Sequence, residues 1–83
     1  GRTMQVDQVK ALLERELQGC DIAVSGDGRH FELTIVGDIF SGLRPVKQQQ
    51  LVYAALNDAI ASGDIHAVNM RLFTREAWAA QAP

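Results

Sequence analysis

Few groups in the chain can do chemistry: two histidines, His30 and His66, and one cysteine, Cys20. A neutral imidazole is a competent ligand for iron and other transition metals. A histidine at the head of a strand is more often a plain structural residue than a ligand, and His30 reads equally well as a polar residue at the edge of a hairpin, so both readings of each histidine stand at this point. Cys20 cannot form an internal disulfide, and no second Cys or His lies at ligand spacing from it. It follows a helix rather than heading one, and no basic residue stands beside it to favour the thiolate. A small, buried or half-buried side chain is expected there. No Ser-His-Asp set, metalloprotease motif or Gly-x-x-x-x-Gly-Lys phosphate loop occurs, and Gly26-Asp27-Gly28 reads as a turn. The expectation is a protein that is not an enzyme.

The elements that must position these groups follow from apolar spacing. Over residues 5–18, Val6, Val9, Leu13 and Leu17 recur at helical intervals with Leu12 beside them, and Gly19 is a natural stop. Residues 21–25 form a short extended run, and Ser25-Gly26-Asp27-Gly28 supplies a hairpin loop. Phe31, Leu33 and Ile35 then alternate as in a strand with one face on the core, placing His30 at the base of the hairpin. Residues 38–43 are too short for a long helix. Pro45 opens a helix to about residue 62, closed by Gly63. On it Val46, Tyr53, Leu56 and Ile60 are expected to face the core, and Lys47-Gln48-Gln49-Gln50 to form a solvated polar face. Residues 65–72 permit a strand with His66, Val68, Met70 and Leu72 on one side and Ile65, Ala67, Asn69 and Arg71 on the other. Thr74 caps a short final helix that carries Glu76 in its first turn.

The order is αββααβα. Strands joined by a helical crossover run parallel, and a hairpin is antiparallel, so an α+β fold is expected, with a mixed three-stranded sheet covered by helices. At 83 residues the chain is one domain, with room for one site or one surface. Gly1-Arg2-Thr3 before Met4 look like a cloning remnant, leaving residues 4–83 as the domain. A hydrophobic share of 47% with 22% charged residues is ordinary globular composition. The net charge of -2 argues against a general nucleic-acid-binding domain. No apolar run approaches a membrane span and no secretory leader is visible, so a cytoplasmic protein without membrane contact is expected.

The segment Ile65-His66-Ala67-Val68-Asn69-Met70-Arg71-Leu72-Phe73-Thr74-Arg75-Glu76-Ala77-Trp78 resembles the C-terminal signature of the BolA family, an Ile/Val-His-Ala strand followed by Thr-x-x-x-Trp. Gly26-Asp27-Gly28-Arg29-His30-Phe31 and Val36-Gly37-Asp38-Ile39-Phe40-Ser41-Gly42 resemble that family's hairpin loop and post-strand segment. The resemblance runs from about Val6 to Trp78. Many members carry an Arg-His-Arg run where this chain has Lys47-Gln48-Gln49-Gln50, which is closer to the bacterial IbaG branch.

The resemblance implies a fold similar to class II KH domains. It also implies pairing with a monothiol glutaredoxin around a [2Fe-2S] cluster, with His66 as an iron ligand and His30, from the hairpin region, as the second. Histidine ligation of one iron in such a cluster is established chemistry. Two histidines fall short of the four ligands a cluster needs. The remainder, by resemblance, are the glutaredoxin cysteine and the thiol of bound glutathione, so the isolated chain, a monomer or weak homodimer, carries no cofactor. Coordination requires neutral imidazole, so acid is expected to weaken the pairing.

The resemblance also brings nucleic-acid binding as an alternative. The Gly-x-x-Gly clamp of KH domains is missing from the comparable Ser41-Gly42-Leu43-Arg44. Arg44, Lys47 and Arg71 are then the candidate DNA contacts, the first two near the positive end of the second long helix. In a third reading the chain is a protein-binding stress factor whose histidines hold no metal.

Overall fold

The computed structural model describes residues 4–81, so the expected remnant Gly1-Arg2-Thr3 lies outside the described residues. The first helix, α1 (Val6–Glu16), starts where the Gln8 side-chain oxygen accepts the Gln5 backbone N–H at 2.7 Å. Val9, Leu13 and Leu17, four residues apart, stack along one line and are buried. Gly19, at φ +84°, then turns the chain into the sheet, a conformation glycine adopts without a Cβ penalty.

Strands β1 (Asp21–Gly26) and β2 (His30–Val36) form an antiparallel hairpin in which Ile22 faces Ile35 and Val24 faces Leu33. Period-two alternation sends Ile22, Phe31, Leu33 and Ile35 into the core and leaves Ala23, Ser25 and Glu32 exposed on the other face. A single 3-10 turn (Asp38–Phe40) buries Phe40 completely. Helix α2 (Pro45–Ala61) then crosses over the sheet, and Gly63, also at φ +84°, ends it. Strand β3 (Ala67–Phe73) lies parallel to β2, with Phe31 opposite Val68 and Leu33 opposite Met70. The sheet order is β1-β2-β3. Helix α3 (Arg75–Gln81) follows, and the Thr74 hydroxyl accepts the Ala77 N–H at 3.1 Å, the expected N-cap.

The order matches αββααβα, with the second helical element a single 3-10 turn. Helices α1 and α2 cover one face of the sheet through a core that includes Leu13, Phe31, Phe40, Val52 and Leu56. The other face is open except at one end, where Trp78 of α3 lines a hollow with Val36 and its ring centroid lies 5.2 Å from that of Phe73.

Three expectations are corrected. Val46, Tyr53 and Ile60 do not face the core: they are 63%, 43% and 37% exposed, and α2 buries Val52, Leu56 and Ala59 instead. The helix is apolar around much of its circumference, so two stripes compete and only Leu56 belongs to both. Gln48 is not part of a solvated face. It is half-buried, and its amide donates to the carbonyls of Phe40 at 3.2 Å and Leu43 at 3.1 Å, fastening the connector before α2. Ile65 does not share a side with Ala67, because β3 begins only at Ala67 and Ile65 is drawn into the core.

Cys20 is half-buried, as expected, and burial pushes its thiol pKa up, against a smaller lowering by Arg75. It packs against the backbone of Gly37. The Gly37 backbone is extended, φ -174°, and open to any residue, but an added Cβ would run into the Cys20 sulfur. Gly37→Ala is therefore expected to cost about 1–3 kcal/mol by overpacking. Part of that loss should return when Cys20→Ala is added. Chemical denaturation of the two single variants and the double variant measures the coupling.

Candidate functional site

The end of the sheet that carries the histidines is organised by Asp27. Its Oδ1 accepts the backbone N–H groups of Arg29 and His30, both at 2.9 Å, and its own N–H donates to the His30 carbonyl at 3.2 Å. These backbone donors hold the Asp27 carboxyl below the usual carboxylate range. The loop is thus best held with Asp27 ionised, and that contribution is lost as pH falls through the lowered pKa. His30 Nδ1 stands 3.8 Å from Asp27 Oδ2 with both side chains 70% exposed, a contact that constrains the ring little.

The Ala67 N–H donates to the Arg29 carbonyl at 3.2 Å, which ties the head of β3 to the hairpin. His30 is the register partner of Ala67, so His66 stands one residue ahead of that pair. The structure therefore brings both histidines to the same end of adjacent parallel strands, whose backbones are about 4.8 Å apart. By strand alternation His30 shares the open face with Glu32 and Ala67. His66 is exposed and borders a hollow of about 280 Å³ with Tyr53, Ile60, Ile65, Ala67 and Val68, on the side of α2. The pair flanks the sheet end from its two sides.

The nucleic-acid candidates are not brought together. Arg44 and Lys47 are exposed at the start of α2. Arg71 stands on the opposite, open face, its guanidinium 5.5 Å from the Phe73 ring centroid. There it borders a hollow of mixed lining that includes Ser25, Glu32, Leu33, Thr34 and Asn69.

The sequence signature that ends in the Thr74 cap and Trp78, and the αββααβα order, are both realised here. A family model described as BolA-like protein matches residues 3–77. The chain belongs to the BolA-like family. It is similar to the acid stress protein IbaG of Escherichia coli, 40% identical over 76 residues that cover 92% of this chain and 90% of that protein. It is also similar to the DNA-binding transcriptional regulator BolA of Vibrio cholerae, 40% identical over 53 residues, 64% of this chain and 49% of that protein. The structure of a bolA protein homologue from Coxiella burnetii superposes with a TM-score of 0.81 at 27% identity, covering 93% of this chain and 99% of that one.

In this BolA-like chain the donor set tests which metal group fits. Among the described residues no three His, Cys, Asp or Glu side chains gather where they could hold a metal ion. Two exposed imidazoles at one sheet end fall short of the four ligands a closed cluster site needs. Arg75 of the BolA-like signature has a role that local pattern conceals. Its guanidinium donates to Asp21 Oδ2 at 3.0 Å and to the Gly19 carbonyl at 2.8 Å, pinning α3 to the start of β1. Tyr53 and Ile60, expected in the core, are instead the apolar neighbours of His66.

Proposed function

We propose that the chain is a non-enzymatic adaptor in iron-sulfur cluster handling or iron and stress regulation, in which His66 ligates a [2Fe-2S] cluster shared with a monothiol glutaredoxin and its glutathione. The observation that carries this reading is an exposed His66 at the head of β3, with His30 at the same sheet end and an apolar margin of Tyr53 and Ile60 beside it. His66 makes none of the described side-chain hydrogen bonds, so its ring nitrogens are available to a metal. His30 is the second candidate ligand. When bound, the cluster supplies the bridge between the two proteins; the chain itself supplies imidazole donors and the surface around them.

Protonation competes with iron for an imidazole nitrogen, so association is expected to weaken as the solution is made mildly acidic. A dissociation constant unchanged between neutral and mildly acidic solution, measured by calorimetry, would contradict this. The DNA-binding reading, to which the Vibrio cholerae relative's name lends weight, is the less supported one: Arg71 stands apart from Arg44 and Lys47 and has Glu32 beside it. Steep salt dependence of DNA binding would favour it.

The test is gel filtration of the chain mixed with a monothiol glutaredoxin carrying its glutathione-ligated cluster. The account expects the cluster absorbance to move into a complex holding one copy of each protein, and chelation of the iron to weaken that complex. Cluster absorbance that stays with the glutaredoxin alone would sink the proposal.

A further inference from the structure

Strand β3 ends the sheet, and its outer edge is paired with nothing among the described residues. It is seven residues long, Ala67-Val68-Asn69-Met70-Arg71-Leu72-Phe73, with no proline and a single charge. Natural edge strands that must stay single are usually shortened, charged or interrupted. The bonds that tie this strand inward run through its odd-numbered residues: Ala67 donates to Arg29, and the Phe73 carbonyl accepts from Gly37. In a parallel ladder the alternate residues Val68, Met70 and Leu72 then direct their N–H and C=O groups to the free edge.

We infer that this edge is a self-association surface on which a second copy of the chain docks by antiparallel strand pairing about a two-fold axis at Met70. The sequence of the strand is self-complementary in that register. Val68 meets Leu72 of the other copy and Met70 meets itself, so every outward backbone group is paired and three half-buried apolar side chains per copy are covered. On the open face Asn69 meets Arg71 of the other copy, so the strand's only charge never faces its own counterpart.

The α2 residues excluded from the core supply a second, independent observation. Val46, Tyr53 and Ile60 are seven residues apart and exposed, so they form one stripe. Tyr53 and Ile60 border the head of β3 beside Val68. The stripe thus flanks the head of β3, and the two-fold axis that pairs the strands keeps the two α2 helices on the same side of the joined sheet. The pairing forms a continuous six-stranded sheet with both α2 helices on one side of it.

Sedimentation equilibrium from about ten micromolar to about one millimolar tests this, with two variants at exposed positions. The wild type is expected to associate reversibly to a dimer and no further. Asn69→Glu places a carboxylate opposite Arg71 of the other copy, twice per dimer, and is expected to tighten association about fivefold to tenfold. Asn69→Glu combined with Arg71→Glu sets carboxylates against each other across the edge and is expected to weaken it below wild type by a similar factor. A wild type that stays monomeric throughout, or two variants that shift the equilibrium in the same direction, would overturn the inference.

Discussion

Phe31→Ala is expected to cost about 3–5 kcal/mol of folding stability, the usual range for deleting a buried ring. Domains of this kind are stable by only about 5–15 kcal/mol, so the variant should sit near the edge of folding. Phe31 is 1% exposed and lies in the middle strand, paired with Gly26 of β1 and Val68 of β3. Gly26 carries no Cβ, and one added there would press on the Phe31 ring and on the His30 carbonyl, so the site is shaped around this side chain. Its cross-strand neighbours belong to two different flanking strands and cannot close over the space together, which places the cost toward the upper part of the range. His30 immediately precedes Phe31, so loosening here should also disorder the sheet end that bears the histidines. Urea denaturation followed by far-UV circular dichroism measures the effect. A loss under about 1 kcal/mol would show that the core is not organised around β2 as described.

The second large effect concerns His66. His66→Ala removes an exposed side chain that makes none of the described hydrogen bonds, so folding stability should change by no more than about 0.5 kcal/mol. Cluster-bridged association with the glutaredoxin should nevertheless fall by about a hundredfold or more, because a metal-ligand bond is lost. His66→Cys separates ligation from surface contact. A thiolate also binds cluster iron, so the cysteine variant should restore association while shifting the cluster to a lower reduction potential. His30→Ala should weaken association less than His66→Ala. Calorimetric titration and spectroelectrochemistry supply the two readouts. Equal affinity for wild type and His66→Ala would remove His66 from the site.

The parts of the fold set by local pattern were legible in the amino-acid sequence. The four-residue spacing of Val9, Leu13 and Leu17, the alternation of Phe31, Leu33 and Ile35, and Thr74 ahead of a short helix each specify an element without outside help. Parallel pairing of β2 with β3 followed from the crossover. Helix α2 was misread because its apolar residues satisfy two stripes at once. Which stripe is buried depends on the crossing of α2 over the sheet, which no local pattern encodes. The same ambiguity is informative in the other direction, since the stripe left outside is apolar at heptad spacing beside a free strand edge.

Contacts that close over long sequence separations were not legible. Arg75 reaches Asp21 and Gly19, Cys20 meets Gly37, and Gln48 sits in a polar run that looks solvated until the connector folds back over it. For the candidate site, the sequence singled out His66 and His30, and the register of β2 with β3 brings them to one end of the sheet. The apolar margin of Tyr53 and Ile60 could not be read beforehand, because both residues had been assigned to the core. Asp27 was read as part of a flexible turn. An Asp followed by Gly in a hairpin loop is also the signal for a carboxylate that accepts backbone N–H groups, as it does here.

The central claim is that His66 joins the first coordination sphere of a shared cluster, and visible circular dichroism tests it most directly, since the signal arises from the cluster's immediate surroundings. A monothiol glutaredoxin carrying its glutathione-ligated [2Fe-2S] cluster would be titrated with the chain, and in parallel with His66→Ala. The account predicts a changed cluster spectrum that saturates at one copy of this chain per cluster and is lost in the variant. A cluster spectrum untouched by the wild-type chain, or changed equally by both proteins, would contradict it.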